Sequence, residues 1–307
     1  MAAAIVLLLV PLEGQGAQTL SASGTFRVMT YNVENYLLEA TPTRPKKSLE
    51  ARSKVVESIV AGHPDILALQ EVGDSAALQE LQGRLRAQGV DLPGLEIVRS
   101  WDTNISVAVL SRFPIVRRQS HTNESFLLNG HRWHVSRGFA EVEIQVHRHY
   151  RIALLVAHLK SKRNVGAADE TEIRQHEAAR LRELVEDRLR ASPELNLVVC
   201  GDFNDTQEAL PIRTLLGERE PRLFDSRPVE NNGDQAPAEN PRYAPRRVAW
   251  THFYGREDTY SRLDYILLSR GLKREWRPEQ SHVIAIPDWG VGSDHRPVVC
   301  EFWAGDR

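Results

Sequence analysis

Residues able to do chemistry recur in this chain where apolar runs end. The most informative run is 195–205, LNLVVCGDFND, in which core residues lead into Gly201 and then Asp202-Phe203-Asn204. In an extended chain, residues i and i+2 point to the same side, so Asp202 and Asn204 would present a carboxylate and an amide to one point. That pair suits activation of a water molecule beside a hard cation; the alternative is an Asx-turn at a strand end. Residues 65–71, DILALQE, end in Glu71, a candidate Mg²⁺ ligand or a salt-bridge partner at a helix start. Residues 26–32 end in Asn32, which could equally form a turn. Residues 151–160, RIALLVAHLK, place His158 and Lys160 two apart, a pairing that suits an anionic substrate. Asp264 lies inside the apolar run 261–267, and Asp294 and His295 stand together in GSDHRP. A strand-embedded Asp264 hydrogen-bonded to His295 would fix that histidine's tautomer and raise its basicity.

Strands must hold these positions. The apolar patterning predicts strands over 26–32, 65–72, 95–99, 105–111, 138–146, 151–159, 195–200, 247–251, 263–269, 282–286 and 297–302. It predicts helices over 48–62, 74–89, 168–190 and 210–216. Ser48 and Asp74 serve as N-caps, and Pro211 sits in a first turn. The polar, Pro-rich stretch 227–246 reads as a long loop within one domain. No linker or internal repeat divides the chain.

With 39 basic and 41 acidic residues the net charge is −2, which excludes a strongly basic nucleic-acid clamp and leaves only local positive surface. Two cysteines exclude a disulfide scaffold and a cysteine-cluster zinc site. Cys200 and Cys300 fall within apolar strands and are expected to be buried free thiols. The opening MAAAIVLLLV is too short to span a bilayer and suits the apolar core of a signal peptide. Residues 1–17 are therefore expected to be a signal peptide, and the protein to be exported to a periplasmic or extracellular space. Serine-hydrolase elbows, H-E-x-x-H, C-x-x-C and Walker loops are absent from the sequence.

Six segments together are recognisable: Tyr31-Asn32-Val33, Leu69-Gln70-Glu71, His158-Leu159-Lys160, Gly201-Asp202-Phe203-Asn204, Arg262-Leu263-Asp264-Tyr265 and Ser293-Asp294-His295. In this order they resemble the endonuclease/exonuclease/phosphatase superfamily, and within it pancreatic-type deoxyribonucleases and exported bacterial nuclease-like members. The resemblance implies an α+β fold, a four-layer α/β/β/α sandwich of two packed mixed β-sheets flanked by helices, with one catalytic domain over 25–303. It implies hydrolysis of a phosphate ester with Mg²⁺, or Mn²⁺ or Ca²⁺. By the same resemblance Glu71, Asn32 and Asp294 stand at the metal. Asp202 activates the attacking water with Asn204 orienting it, His295 binds the scissile phosphate with Asp264 as its partner, and His158 acts near the leaving group. Lys160 and Arg137 are the expected phosphate-binding cations. Pancreatic-type deoxyribonucleases pair the first histidine with a carboxylate; here only Asp102 could serve.

The expected substrate is a phosphodiester, DNA or RNA, cleaved by a monomer without stable membrane association. Arg242, Arg246, Arg247 and Arg256 around Tyr243, Trp250 and Tyr254 could grip a backbone and stack a base, or form an ordinary solvated loop. The alternatives are a phosphatase or phosphodiesterase on small molecules or inositol phosphates, a sphingomyelinase-like phospholipase, and a non-catalytic binding protein on the same scaffold. Replacing Asp202 or His295 by Ala is expected to lower turnover by on the order of 10³-fold or more while the far-UV circular dichroism stays native. Near-native turnover in either variant would remove these residues from the chemistry.

Overall fold

The computed structural model describes residues 24–163, 166, 168–233, 240 and 247–305. The first strands in chain order are β1 (Thr25–Tyr36), β2 (Ile66–Val72), β3 (Gly94–Val98), β4 (Ser106–Ser111), β5 (Ile115–Arg118), β6 (Ser125–Leu128), β7 (His131–His134), β8 (Phe139–His147) and β9 (Tyr150–His158). They are followed by β10 (Leu197–Asp202), β11 (Phe224–Asp225), β12 (Val229–Glu230), β13 (His252–Tyr254), β14 (Thr259–Ser261), β15 (Asp264–Leu268), β16 (Trp276–Val283) and β17 (Val298–Trp303). The helices are α1 (Leu49–Gly62), α2 (Ser75–Ala87), α3 (Glu170–Ala191), α4 (Leu210–Leu216) and α5 (Arg270–Lys273).

Ser48 caps α1 by accepting from the Ala51 N–H, and Asp74 caps α2 by accepting from Ala77. The expected 1–17 leader and residues Arg242, Tyr243 and Arg246 lie outside the described residues. The strand expected over 247–251 does not form. Its backbone is used piecemeal instead: Val248 O accepts from Glu230 N, Trp250 O from the Arg296 guanidinium, and Thr251 O from Arg296 N. Of the expected 282–286 strand, only His282 and Val283 are extended, as the end of β16, which starts earlier, at Trp276.

Two mixed sheets result. One has the order β12-β16-β17-β1-β2-β4-β3 and the other β11-β15-β10-β9-β8-β5. The parallel pairs at their centres are β1 with β2 and β9 with β10. Alternation on each strand sorts side chains into three apolar layers. Phe26, Val28, Ile66, Ala68, Val156, Val198, Cys200 and Ile266 fill the space between the sheets. Met29, Tyr31, Leu67 and Leu69 meet the α1 and α2 residues Val55, Ile59, Leu78 and Leu81. Leu155, Leu197 and Val199 meet the α3 and α4 residues Leu181, Val185 and Ile212. This is the α/β/β/α sandwich. Cys200 and Cys300 are free and buried, both in the layer between the sheets.

The same alternation places the site. Even-numbered residues of β9, β10 and β15, and of β1 as far as Asn32, face the layer between the sheets. One step beyond its apolar members, those positions are Asn32, His158, Asp202 and Asp264. Register brings three of them level, since Asp202 pairs with His158 on β9 and with Asp264 on β15. Gly201 permits that approach. Its φ is +139°, and a Cβ there would lie 1.9 Å from the Ala157 carbonyl oxygen. Gly201→Ala is therefore expected to destabilise the protein by about 3 kcal/mol, lowering Tm by roughly 6–10 °C in a thermal melt. A melt within 1–2 °C of the parent, on the order of experimental scatter, would show that the strands can shift apart cheaply.

Candidate active site

Asp202 closes the polar end of the layer between the sheets. Its Oδ2 accepts from Asn32 Nδ2 at 3.0 Å and from Asn204 Nδ2 at 3.1 Å, while Oδ1 accepts from Asn204 N–H at 2.9 Å. Asn204 also donates to the Leu159 carbonyl at 3.0 Å, and its φ of +54° turns the chain back over the carboxylate. Two histidines face the same Oδ2, His158 Nε2 at 3.4 Å and His295 Nε2 at 3.7 Å. Burial pushes the Asp202 pKa up to about 6, with His295 opposing and Asp264 assisting that shift. A carboxylate so placed can take a proton near neutral pH.

His295 and Asp264 form the pair expected from sequence, with Nδ1 hydrogen-bonded to Oδ2 at 2.8 Å. Burial alone would lower the His295 pKa. The Asp264 and Asp202 carboxylates outweigh it and hold the imidazolium well above the usual histidine range. His158 is biased the opposite way: burial, then the Arg137 guanidinium, keep its pKa well below that range. Its Nδ1 is buried without a hydrogen-bond partner among the described residues. Asp102 does not supply one, because its Oδ2 faces Arg137 Nε at 3.5 Å and Arg44 Nη2 at 3.9 Å.

Glu71 reaches the cluster through a backbone exception. By alternation it would follow Leu67 and Leu69 toward the helices, but its φ is +65° and the β2 register shifts there. The carboxylate thereby turns into the cleft. It accepts from Asn35 N–H at 3.0 Å and lies 3.4 Å from Asn32 Nδ2, 3.8 Å from Arg44 and 3.9 Å from His158 Nε2. Positive φ at Glu34 and Asn35 continues the irregular path. Backbone strain of this kind concentrates at functional sites. The half-buried carboxylate keeps acceptor capacity on the cleft side. That fits a hard dication, which takes one or two carboxylates and completes its shell with water and phosphate oxygens. Asn32 presents its amide nitrogen to Glu71 and Asp202, and its oxygen accepts from Glu34 N–H at 3.0 Å.

Asp294 stands beside His295 Nε2 at 3.9 Å and His252 Nε2 at 3.6 Å. Arg137 is buried next to the cluster and donates to Leu159 O at 3.3 Å. Lys160 is not brought in. Its ammonium donates to the Ser161 and Arg163 carbonyls at 3.0 and 2.6 Å, and its backbone N–H is held by Glu177. Arg44 and His252 had no sequence signal beyond residue type, since a loop and a three-residue strand deliver them. Trp250, read from sequence either as a stacking ring or as an ordinary loop aromatic, is covered by Arg296 at 3.3 Å and packs on Tyr260 and Trp289. Trp101, 58% exposed and stacked on His134 at 3.8 Å, is the open ring beside Asp102.

The sequence profile of the Endonuclease/Exonuclease/phosphatase family matches residues 29–295. No curated protein sequence matches the chain. Among solved structures, truncated Caenorhabditis elegans TDP2 aligns with a TM-score of 0.61 at 18% identity, covering 91% of this chain and 98% of that one. The human Nocturnin catalytic domain, solved with a bound sulfate anion, gives 0.59 at 19% identity, covering 93% and 97%. Sphingomyelinase C from Streptomyces griseocarneus gives 0.55 at 19% identity, covering 91% and 99%. At these identities the likeness shows a shared fold.

Asp264→Asn keeps the side-chain shape but removes the charge against His295 Nδ1. The His295 pKa is then expected to fall, so that its ring loses its proton at a lower pH than in the parent. Ring ¹⁵N shifts followed through a pH titration would check this; an unchanged midpoint would mean that Asp264 does not hold the imidazolium.

Proposed function

The chain belongs to the Endonuclease/Exonuclease/phosphatase family, whose members are phosphoric ester hydrolases, and on that premise we propose that it is a divalent-cation-dependent phosphodiesterase acting on nucleic acid. The observation that carries the reading is the Asp202 carboxylate, held by the Asn32 and Asn204 amides and facing the Asp264-fixed His295. A cation held at Glu71, Mg²⁺ or Mn²⁺, would stabilise negative charge on the phosphate oxygens when bound.

The protein's own groups divide the remaining work. Asp202 takes the proton from a water molecule whose oxygen attacks phosphorus in line. The bond from phosphorus to the leaving oxygen breaks on the opposite side, and that oxygen takes a proton from solvent. His295 donates from Nε2 to a non-bridging phosphate oxygen, with Asp264 fixing the ring through Nδ1. Preorganised donors of this kind act where charge develops. His158, level with Asp202 across the β9–β10 pair, hydrogen-bonds near the leaving group.

Cations with an open ring on one flank and open rings on the other support a polymeric substrate. On the Glu71 side Arg44 and Arg137 lie beside exposed Trp101. On the His295 side the β13–β14 hairpin exposes Tyr254 and Tyr260. Guanidinium groups suit backbone phosphates, and exposed rings stack on bases with little sequence preference.

Plasmid DNA, RNA, inositol phosphates and sphingomyelin liposomes incubated with Mg²⁺, Mn²⁺ or EDTA test the reading. Nucleic acid is expected to be cut with either cation and spared with EDTA. Glu71→Gln is expected to lower the rate by on the order of 10²-fold or more. Turnover confined to sphingomyelin or inositol phosphates would overturn the substrate, and activity undiminished by EDTA would overturn the cation dependence.

A further inference from the structure

The loop from β3 to β4 leaves the seven-stranded sheet at the end that carries Glu71, since Val72 pairs with Ser106 and Val98 with Val107. Trp101 stands in that loop, and its neighbours are pinned. The Ser100 hydroxyl donates to Thr122 O at 2.7 Å, and Asp102 N–H donates to Ser136 O at 2.7 Å. Asp102 Oδ1 accepts from Asn104 N–H at 3.0 Å. The indole lies on the His134 ring, with planes 22° from parallel, yet Trp101 is mostly exposed. One face is backed by protein and the other is open to solvent. A large ring held outward in a fixed pose loses little freedom when a second flat ring stacks on it.

Building on the reading of the protein as a phosphodiesterase of nucleic acid, we propose that its preferred substrate is an unpaired strand. A base of that strand stacks on Trp101 while Arg44 and Arg137 hold the adjoining backbone. In a duplex each base is covered on both faces by its neighbours, so an open indole gains a partner only where bases are unstacked. Charge points the same way. Duplex affinity comes from neutralising many phosphates. Here two guanidiniums share the one Asp102 carboxylate, at 3.9 and 3.5 Å, and the whole chain carries a net charge of −2. Such a rim suits a few phosphates and draws the rest of its affinity from stacking. The Arg44 guanidinium is also 3.8 Å from Glu71, which sets the platform next to the cation position. On the opposite rim, exposed Tyr254 shares a face of β13 with His252, their ring planes 18° apart, and the His252 ring is 4.6 Å from that of His295. A strand laid from Trp101 to Tyr254 passes both Glu71 and His295.

Three fluorescent probes of about 20 nucleotides, longer than a typical single-strand site, test the proposal. They are a single strand, its duplex, and a strand of abasic tetrahydrofuran units that keeps the phosphates without bases. Binding is read by anisotropy in EDTA, and kcat/KM is measured with Mg²⁺. The single strand is expected to bind and be cut about 10-fold or more better than the duplex, and to bind about 10-fold or more tighter than the abasic strand. Trp101→Ala is expected to remove most of the advantage over the abasic strand, whereas Trp101→Phe, which keeps a ring, retains it within about threefold. Thermal melts check that both variants are folded. A duplex bound and cut as well as the single strand, an abasic strand bound as tightly, or an unchanged Trp101→Ala variant would overturn the proposal and leave the phosphodiesterase reading intact. Base-dependent binding of the single strand with no cleavage of it would overturn that reading and support the strand preference.

Discussion

A buried carboxylate organises this protein. Asp202 is almost wholly removed from water at the end of an apolar layer, where an unpaired charge costs several kcal/mol or more. It is tolerated because two side-chain amides and a backbone N–H converge on it and two histidines face it. No single sheet can supply those partners. Asn32 comes from the seven-stranded sheet, His158 and Asp264 flank Asp202 in the six-stranded one, and His295 precedes the last strand. The two sheets must therefore close face to face before this cluster exists, so the site reports directly on the packing of the core beneath it.

The price of that convergence is local backbone strain. Glu71, Asn204, Glu34 and Asn35 all adopt positive φ at strand ends bordering the cleft. Each conformation costs of order 1–3 kcal/mol in a non-glycine residue and persists only where surrounding contacts over-determine it. At Glu71 the gain is visible, since the reversed backbone moves a carboxylate from the helix-facing side of β2 into the cleft. The opposite electrostatic bias of His158 and His295, a few ångströms apart around one carboxylate, has the same origin. His295 has acids at both ring nitrogens, including a hydrogen bond from Nδ1 to Asp264, whereas His158 faces acids at Nε2 alone and is dominated by burial and the Arg137 guanidinium.

Several parts of this arrangement were legible in the chain. The two-residue alternation of 26–32, 151–159, 195–202 and 263–269 places Asn32, His158, Asp202 and Asp264 on the same face as Val28, Val156, Cys200 and Ile266. The Asp264–His295 pair was anticipated because a carboxylate inside an apolar strand needs a partner. Other expectations failed for lack of local signal. The pairing of Lys160 with His158 assumed that the strand continued, but β9 stops at His158 and the lysine is captured by loop carbonyls. Asp102 is claimed by two arginines rather than by His158, a competition invisible without the loop that carries Arg44.

Sequence alone determined the layering, the strands that form the core and the residues standing one step beyond it, because periodicity and burial are local properties of a chain. Tertiary structure decided which of those residues meet. The φ of Glu71, the loop carrying Arg44 toward it and the hairpin placing His252 beside Asp294 and His295 all depend on contacts between segments far apart in the chain. Such contacts are selected by the free energy of the whole packed arrangement, to which a short segment's own pattern contributes little.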